Sequence, residues 1–242
     1  MSKPDNAAQL FDIMWECRSM RRFKPDPVPD EILLQLVDGA IHAPSSSNGQ
    51  NWHFVIVRDR ATKARIGEQW RKGWAWYKDT VAQANARDGE DLAARERQAR
   101  AGDYMVEHME ETPAIVFVAV KKDSVVAKAL QSPKILTAAV KHFGMGGTLK
   151  FLGGAGRAGT TGIDSTAYPA VQNLLLTARA LGLGAVLTTP HLFTPGAYEK
   201  ILGLPSDVTL TAVIPVGYPK GKFGPVRRPA PESVVSWDRW GG

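Results

Sequence analysis

The spacing of apolar residues changes period several times along the chain, and each change marks an element. Leu10, Ile13 and Met14 share one helical face, so a short helix is expected from Leu10 to Glu16. The run KPDPVPDE follows, and its three prolines forbid a regular element, although Pro29 can open a helical first turn. Ile32, Leu33, Leu36, Val37 and Ala40 then repeat at helical spacing up to Ile41, and Pro44 prevents continuation. WHFVIV, from Trp52 to Val57, is β-branched and aromatic and predicts a mostly buried strand. Three further strands are expected at AIVFVAV (Ala114 to Val120), AVLTT and VTLTAVIPVGYP.

Between the first two strands, Ala61 to Glu111 reads as helical. Its part NARDGEDLAARERQARAGD is so charged that most of it must face water, as an insertion or cap around 70–110 would. Trp70, Trp74 and Tyr77 share a helical face there, and core packing is preferred to an aromatic lid. Glycines crowd Gly144 to Gly162, so a flexible loop is expected in that interval. From Pro169 to Leu181 a helix is apolar nearly all round (Val171, Leu174, Leu175, Leu176, Ala178, Ala180, Leu181), which predicts burial on nearly every face, with Gly182 as its cap. The tail RRPAPESVVSWDRWGG carries two tryptophans and no following element to cover them, so an arm around 225–242 packed on a partner subunit is expected. Strands separated by long helices imply layers of helices about a mixed sheet in one domain of 242 residues.

Composition narrows the chemistry. With 44% apolar and 22% charged residues the chain is an ordinary globular one. It has no apolar run long enough to span a bilayer, and MSKPDNAAQL lacks a secretory pattern, so no membrane partner and a cytoplasmic location are expected. A net charge of +6 attracts anions, whether nucleic acid, a phosphorylated cofactor or an acidic substrate. No zinc-finger spacing, RNP-type aromatic run or basic zipper is present, and nucleic acid is not expected as a partner. The five histidines and single cysteine show no metal spacing, so no metal is expected. GAGRAG, Gly154 to Gly159, satisfies G-x-G-x-x-G but lacks the strand before and the helix after that would make a dinucleotide turn, and a flexible loop is the preferred reading. Cys17 beside arginines is read as a small buried residue in preference to a reactive thiol.

Three segments stand out: RSMRRF after Cys17, APSSSNGQNWHFVIV from Ala43, and YPAVQNLLLTARALGLGAVLTT from Tyr168. With PVRRP at Pro225 to Pro229 following in order, the chain resembles the FMN-dependent nitroreductase family over all but its charged middle. The resemblance implies an α+β fold, a three-layer α-β-α sandwich with a mixed, mainly antiparallel sheet, in an intertwined homodimer with shared active sites. It implies FMN as cofactor, NADH or NADPH as hydride-donating co-substrate, and a small aromatic substrate of the nitroaromatic or quinone class reduced by ping-pong turnover through flavin N5. A flavin phosphate dianion suits forked guanidinium donors and hydroxyls, here Arg18, Ser19, Arg21, Arg227 and Arg228. By resemblance Arg21 lies toward the N1 and O2 side of the ring, where a cation favours the anionic reduced flavin. Relatives commonly carry an arginine at the place of Cys17, which leaves open whether Arg22 substitutes. Pro44, Ser45, Ser46, Asn48 and Gln50 are implied to approach the flavin from the neighbouring subunit. Leu187, Thr188 and Thr189 are implied to hold the reactive edge with backbone groups, although some relatives have glutamate at the place of Thr189. No catalytic side chain is named. The alternatives are a member specialised for dehalogenation or dehydrogenation, and a flavin- or nucleic-acid-binding protein without turnover.

Overall fold

A computed structural model describes residues 5–83, 91–122 and 132–241, with the side chains of 5–8, 83 and 155–159 excepted. The beginning of the charged run, 85–90, lies outside the described residues. Helices α1 (Asp5–Glu16) and α2 (Asp30–Ile41) precede β1 (Trp52–Val57). Then come α3 (Arg60–Asp79), α4 (Leu92–Glu107) and β2 (Ala114–Lys121). The chain continues through α5 (Lys134–Ala180), β3 (Gly184–Ala185), α6 (Ala197–Leu202) and β4 (Val208–Gly217).

The strands form one sheet in the order β1-β2-β4-β3, and every pair is antiparallel, so the expected mixed component is not seen among the described strands. Alternation along the strands builds two cores. Ala114, Val116 and Val118 of β2 join Ala212, Ile214 and Val216 of β4 on one face, where α2 and the C-terminal part of α5 cover them. Ile115 and Phe117 face the other way, with Val213 and Leu210, under Ile66 and Trp70 of α3, Met105 and Val106 of α4, and Tyr198 of α6. Leu210 and Val213 share this face despite their odd spacing because the register shifts by one residue at Val118/Ala119. Thr211 stands in the bulge and donates its hydroxyl to Val118 O at 2.8 Å. Three layers result, α-β-α.

The strand expected at AVLTT is shorter than its sequence. Gly184 and Ala185 pair regularly with Gly217 and Val216, and Thr188 and Val213 exchange backbone bonds of 3.0 and 2.9 Å. Between them Val186 N–H reaches Pro215 O at 3.3 Å, but Pro215 has no N–H to return, and the ladder is interrupted.

Two further expectations are corrected. The glycine-rich interval from Gly144 to Gly162 is not a loop: α5 runs through it and through Pro169 to Ala180, with one non-helical residue, Gly144, at φ 66 and ψ 177. GAGRAG thus lies within helical backbone, with no strand entering it. Each glycine costs only about 1 kcal/mol relative to alanine, and Thr148, buried, ties its hydroxyl to Gly144 O at 2.7 Å across the break. A Cβ at Gly146, Gly153 or Gly154 would meet nothing within 4 Å, so packing does not demand glycine there. The helix after Pro169 is also not buried all round. Ala170, Val171, Leu174 and Ala178 enter the core, Leu175 and Leu176 are half-buried, and Tyr168 and Leu181 are exposed, because one chain covers only one side.

The shared face of Trp70, Trp74 and Tyr77 is packing, as preferred. Trp70 is buried, while Trp74 stacks on Tyr77 with ring centroids 5.2 Å apart and donates its indole N–H to Asp103 at 2.8 Å. That bond, with Lys78 second, holds the Asp103 carboxyl below its ordinary value.

Candidate functional site: a cationic cleft

Backbone pairing, more than side-chain contact, assembles the site. After α1 the chain turns alongside the segment that follows β4. Met20 N–H donates to Ala185 O at 3.0 Å, Lys24 N–H to Tyr218 O at 2.8 Å, and Lys220 N–H to Arg22 O at 2.9 Å, with Phe23 bridged to Pro219. The basic cluster is thereby laid along the edge of the sheet. The second basic segment arrives from the other end of the sequence, where Val226 N–H donates to Trp15 O at 2.9 Å. One backbone bond therefore sets Arg227 and Arg228 beside the end of α1.

A cleft of about 910 Å³ lies between these segments and α4. Six of the residues singled out in the sequence line it: Arg18, Ser19, Arg21, Arg22, Arg227 and Arg228. Sequence reading missed Lys222 and, on α4, Arg97 and Gln98. Their only signal was position: Ala94, Arg97, Gln98 and Ala101 recur at helical spacing, one face of a helix otherwise read as solvated. In all, seven cationic side chains and no carboxylate line the cleft among the described residues. Such a wall concentrates anions. Arg21 is half-buried, and desolvation lowers its pKa, yet a guanidinium keeps its charge at neutral pH.

Beside the cleft, α4 braces the basic segment. Arg22 Cζ lies over the Tyr104 ring, 4.6 Å from its centroid, Tyr104 stacks on His108 at 4.0 Å, and Lys220 Nζ reaches Tyr104 Oη at 3.2 Å. Cys17 points elsewhere: its thiol donates to Leu175 O at 3.6 Å, and burial raises its pKa, with Arg179 opposing. It does not line the cleft.

The remaining residues singled out are not brought to this cleft within one chain. Ser46–Asn48 form a turn between α2 and β1, with positive φ at Ser47, Asn48 and Gln50. The turn is pinned by Ser46 N–H on Thr166 Oγ1 (3.1 Å), Gln50 N–H on Ser45 Oγ (3.1 Å) and Gln50 Nε2 on Asn48 Oδ1 (2.8 Å). Pro44, Asn48 and Gln50 are exposed, and Ser45 and Ser46 half-buried. Leu187 is exposed beyond β3, and Thr188 and Thr189 are half-buried, with the Thr188 hydroxyl spent on Val213 O at 2.6 Å.

Residues 16–218 match the sequence model of the nitroreductase family. A Thermus thermophilus protein named NADH dehydrogenase is 29% identical over 231 residues, 91% of this chain and 91% of that protein. An iodotyrosine deiodinase of Thermotoga neapolitana is 25% identical over 210 residues, 87% of this chain and 88% of its own. Among solved structures, oxidized iodotyrosine deiodinase bound to FMN and 3-iodo-L-tyrosine matches with a TM-score of 0.65 at 24% identity, over 96% of this chain and 100% of that one. A nitroreductase with bound FMN from Desulfitobacterium hafniense DCB-2 matches with a TM-score of 0.56 at 17% identity, over 99% and 100%. At these identities the structural likenesses establish the fold.

Proposed function

Because the chain belongs to the nitroreductase family, we propose that it is an FMN-dependent oxidoreductase that draws a hydride from NADH or NADPH and reduces nitroaromatic or quinone-type acceptors in ping-pong turnover. The observation that carries this reading is the convergence of Arg18, Ser19, Arg21, Arg227 and Arg228 from both ends of the chain on one cleft lined by no carboxylate among the described residues. Planar guanidiniums and a hydroxyl are the donor set a phosphate dianion requires, so these residues fit the phosphate end of FMN. When bound, the flavin supplies the hydride chemistry, and no side chain is assigned as acid or base.

The protein's own part is placement and electrostatics. Arg18, Ser19, Arg227 and Arg228 hold the phosphate, Arg22 fills in for the arginine that Cys17 replaces, and Arg21, partly withdrawn from water, sets a cation toward the ring. Leu187, Thr188 and Thr189 border its reactive edge. Pro44, Ser45, Ser46, Asn48 and Gln50 complete the site from the second subunit of a homodimer; the exposure of Pro44, Asn48 and Gln50 on a pinned turn supports this. So does uncovered apolar surface: Phe143, Met145 and Leu149 on α5, with Trp237 and Trp240 in the tail, the last fully exposed.

The test is optical. The purified protein, given FMN, is expected to be yellow, to bleach anaerobically with NADPH or NADH, and to recover its colour with a nitroaromatic or quinone. A folded sample that stays colourless after FMN addition refutes the reading, and a lone subunit at every concentration in sedimentation velocity refutes the shared site. Dehalogenation is the second reading, favoured by the 25% identity to the Thermotoga enzyme. Release of iodide from 3-iodo-L-tyrosine by the reduced protein, without nitro reduction, would establish it in place of the first.

A further inference from the structure

Arg179, in the last turn of α5, touches both segments that carry arginines into the cleft, yet it does not line the cleft itself. Its Nη2 pairs with the carboxylate of Glu16, the last residue of α1 and two positions before Arg18. Its Cζ also lies over the Phe223 ring, 4.3 Å from the centroid, and Phe223 stands four positions before Arg227. One turn earlier on the same helix, Leu175 O accepts the Cys17 thiol at 3.6 Å, so the end of α1 rests on successive turns of α5.

These are not the contacts of a solvated charge. The Arg179 and Glu16 side chains are 22% and 38% exposed, and Arg179 Nε is out of water with no hydrogen-bond partner among the described residues. A cation in the last turn gains from the helix dipole wherever it points, and that gain requires no N–H to leave water. The ion pair and the aromatic face together offset the unpaired N–H. A planar guanidinium makes both contacts at once, its edge on the carboxylate and its face on the ring, which an ammonium cannot do. The backbone bond from Val226 to Trp15 O joins the two segments at one point, about which they could still turn. Arg179 gives them a second.

We propose that Arg179 is a positioning residue for the anion cleft: with Glu16 on its edge and Phe223 on its face, it sets Arg18 against Arg227 and Arg228 so that they close on one phosphate. The inference rests on the flavin reading above, and Arg179 acts through those three arginines without touching the ligand.

Fluorescence titration with FMN and with riboflavin, which lacks the phosphate, isolates this role. Arg179→Met is expected to weaken FMN about tenfold, as the loss of one charge-assisted contact would, and riboflavin by no more than about twofold. Arg179→Lys keeps a charge at the helix end but not the planar fork, and is expected to lose most of the same FMN affinity. The costs of Arg179→Met and Arg228→Ala to FMN binding should be less than additive in the double variant, because one residue works by placing the other. Native FMN affinity in Arg179→Met overturns the proposal, and so does an equal loss of FMN and riboflavin, which marks general destabilisation. Full affinity in Arg179→Lys would leave only a charge at the helix end, and strict additivity with Arg228→Ala would leave the two independent; either overturns it. Failure of the unaltered protein to bind FMN refutes the flavin reading and this inference together, whereas the other adverse results, obtained on a protein that binds FMN, remove this inference alone.

Discussion

Gly184 lies where the sheet edge meets the basic cluster, and its replacement by alanine tests how the cleft is held. A Cβ there would stand 2.8 Å from Met20 Cβ, 3.3 Å from Met20 Cγ and 3.2 Å from Pro219 Cβ. The nearest atom is a Cβ, so no rotamer change relieves the clash and the backbone of residue 20 must move. Ordinary carbon contact needs roughly 3.5–4.0 Å, so the opening is about 0.7–1.2 Å. Met20 is also tied to the neighbouring Ala185 O at 3.0 Å, and Ser19 and Arg21 flank it in the cleft wall. The displacement therefore strains a packed edge, at about 1–3 kcal/mol of stability. It also misplaces donors whose charge-assisted bonds are each worth about 1.5–3 kcal/mol. Gly184→Ala should unfold at lower denaturant and bind FMN about ten- to hundredfold more weakly in a fluorescence titration. Gly224→Ala, where a Cβ meets nothing within 4 Å, is the control and should change neither. Unchanged FMN affinity with lost stability would refute the claim that the Met20–Gly184 contact positions the cluster; no change in either would refute the close approach itself.

Other outcomes can be checked separately. Arg21→Ala or Arg228→Ala should weaken FMN retention by about 1.5–3 kcal/mol in equilibrium dialysis, while near-native affinity in both would remove the phosphate assignment. Lys63 is buried and donates from Nζ to Thr112 O at 2.7 Å, so Lys63→Ala should cost about 1.5–3 kcal/mol in chemical denaturation. His191 is buried, and desolvation holds its pKa below the ordinary 6.5, with Glu199 and the Leu210 backbone opposing. Because the unfolded chain takes up this proton first, the contribution is intact above about pH 6.5 and is lost as pH falls toward the lower folded value. Stability curves from pH 8 to 5 should show that slope, and His191→Gln should flatten it.

Much of the framework is written locally in the chain. The β-branched runs at Trp52–Val57, Ala114–Lys121 and Val208–Gly217 became the three long strands, because the β preference of branched and aromatic side chains acts residue by residue. Proline placed the start of α2 for the same local reason. The run after Gly184 misled because the missing donor belongs to Pro215, on another strand. The glycines from Gly144 to Gly162 misled because propensity is a small, additive bias of about 1 kcal/mol per glycine, which the helical run beyond the break at Gly144 overrides.

The sequence by itself determined which side chains could hold an anion, the arginines toward its two ends, since charge and donor geometry belong to each side chain wherever it is placed. Only the tertiary structure decided that these ends meet, through the bonds of Lys220 to Arg22 and Val226 to Trp15. It alone also turned Arg97 of the charged helix toward the same cleft. Contacts between residues some 200 positions apart depend on strand order and helix rotation, which the whole packed core fixes and no local pattern records.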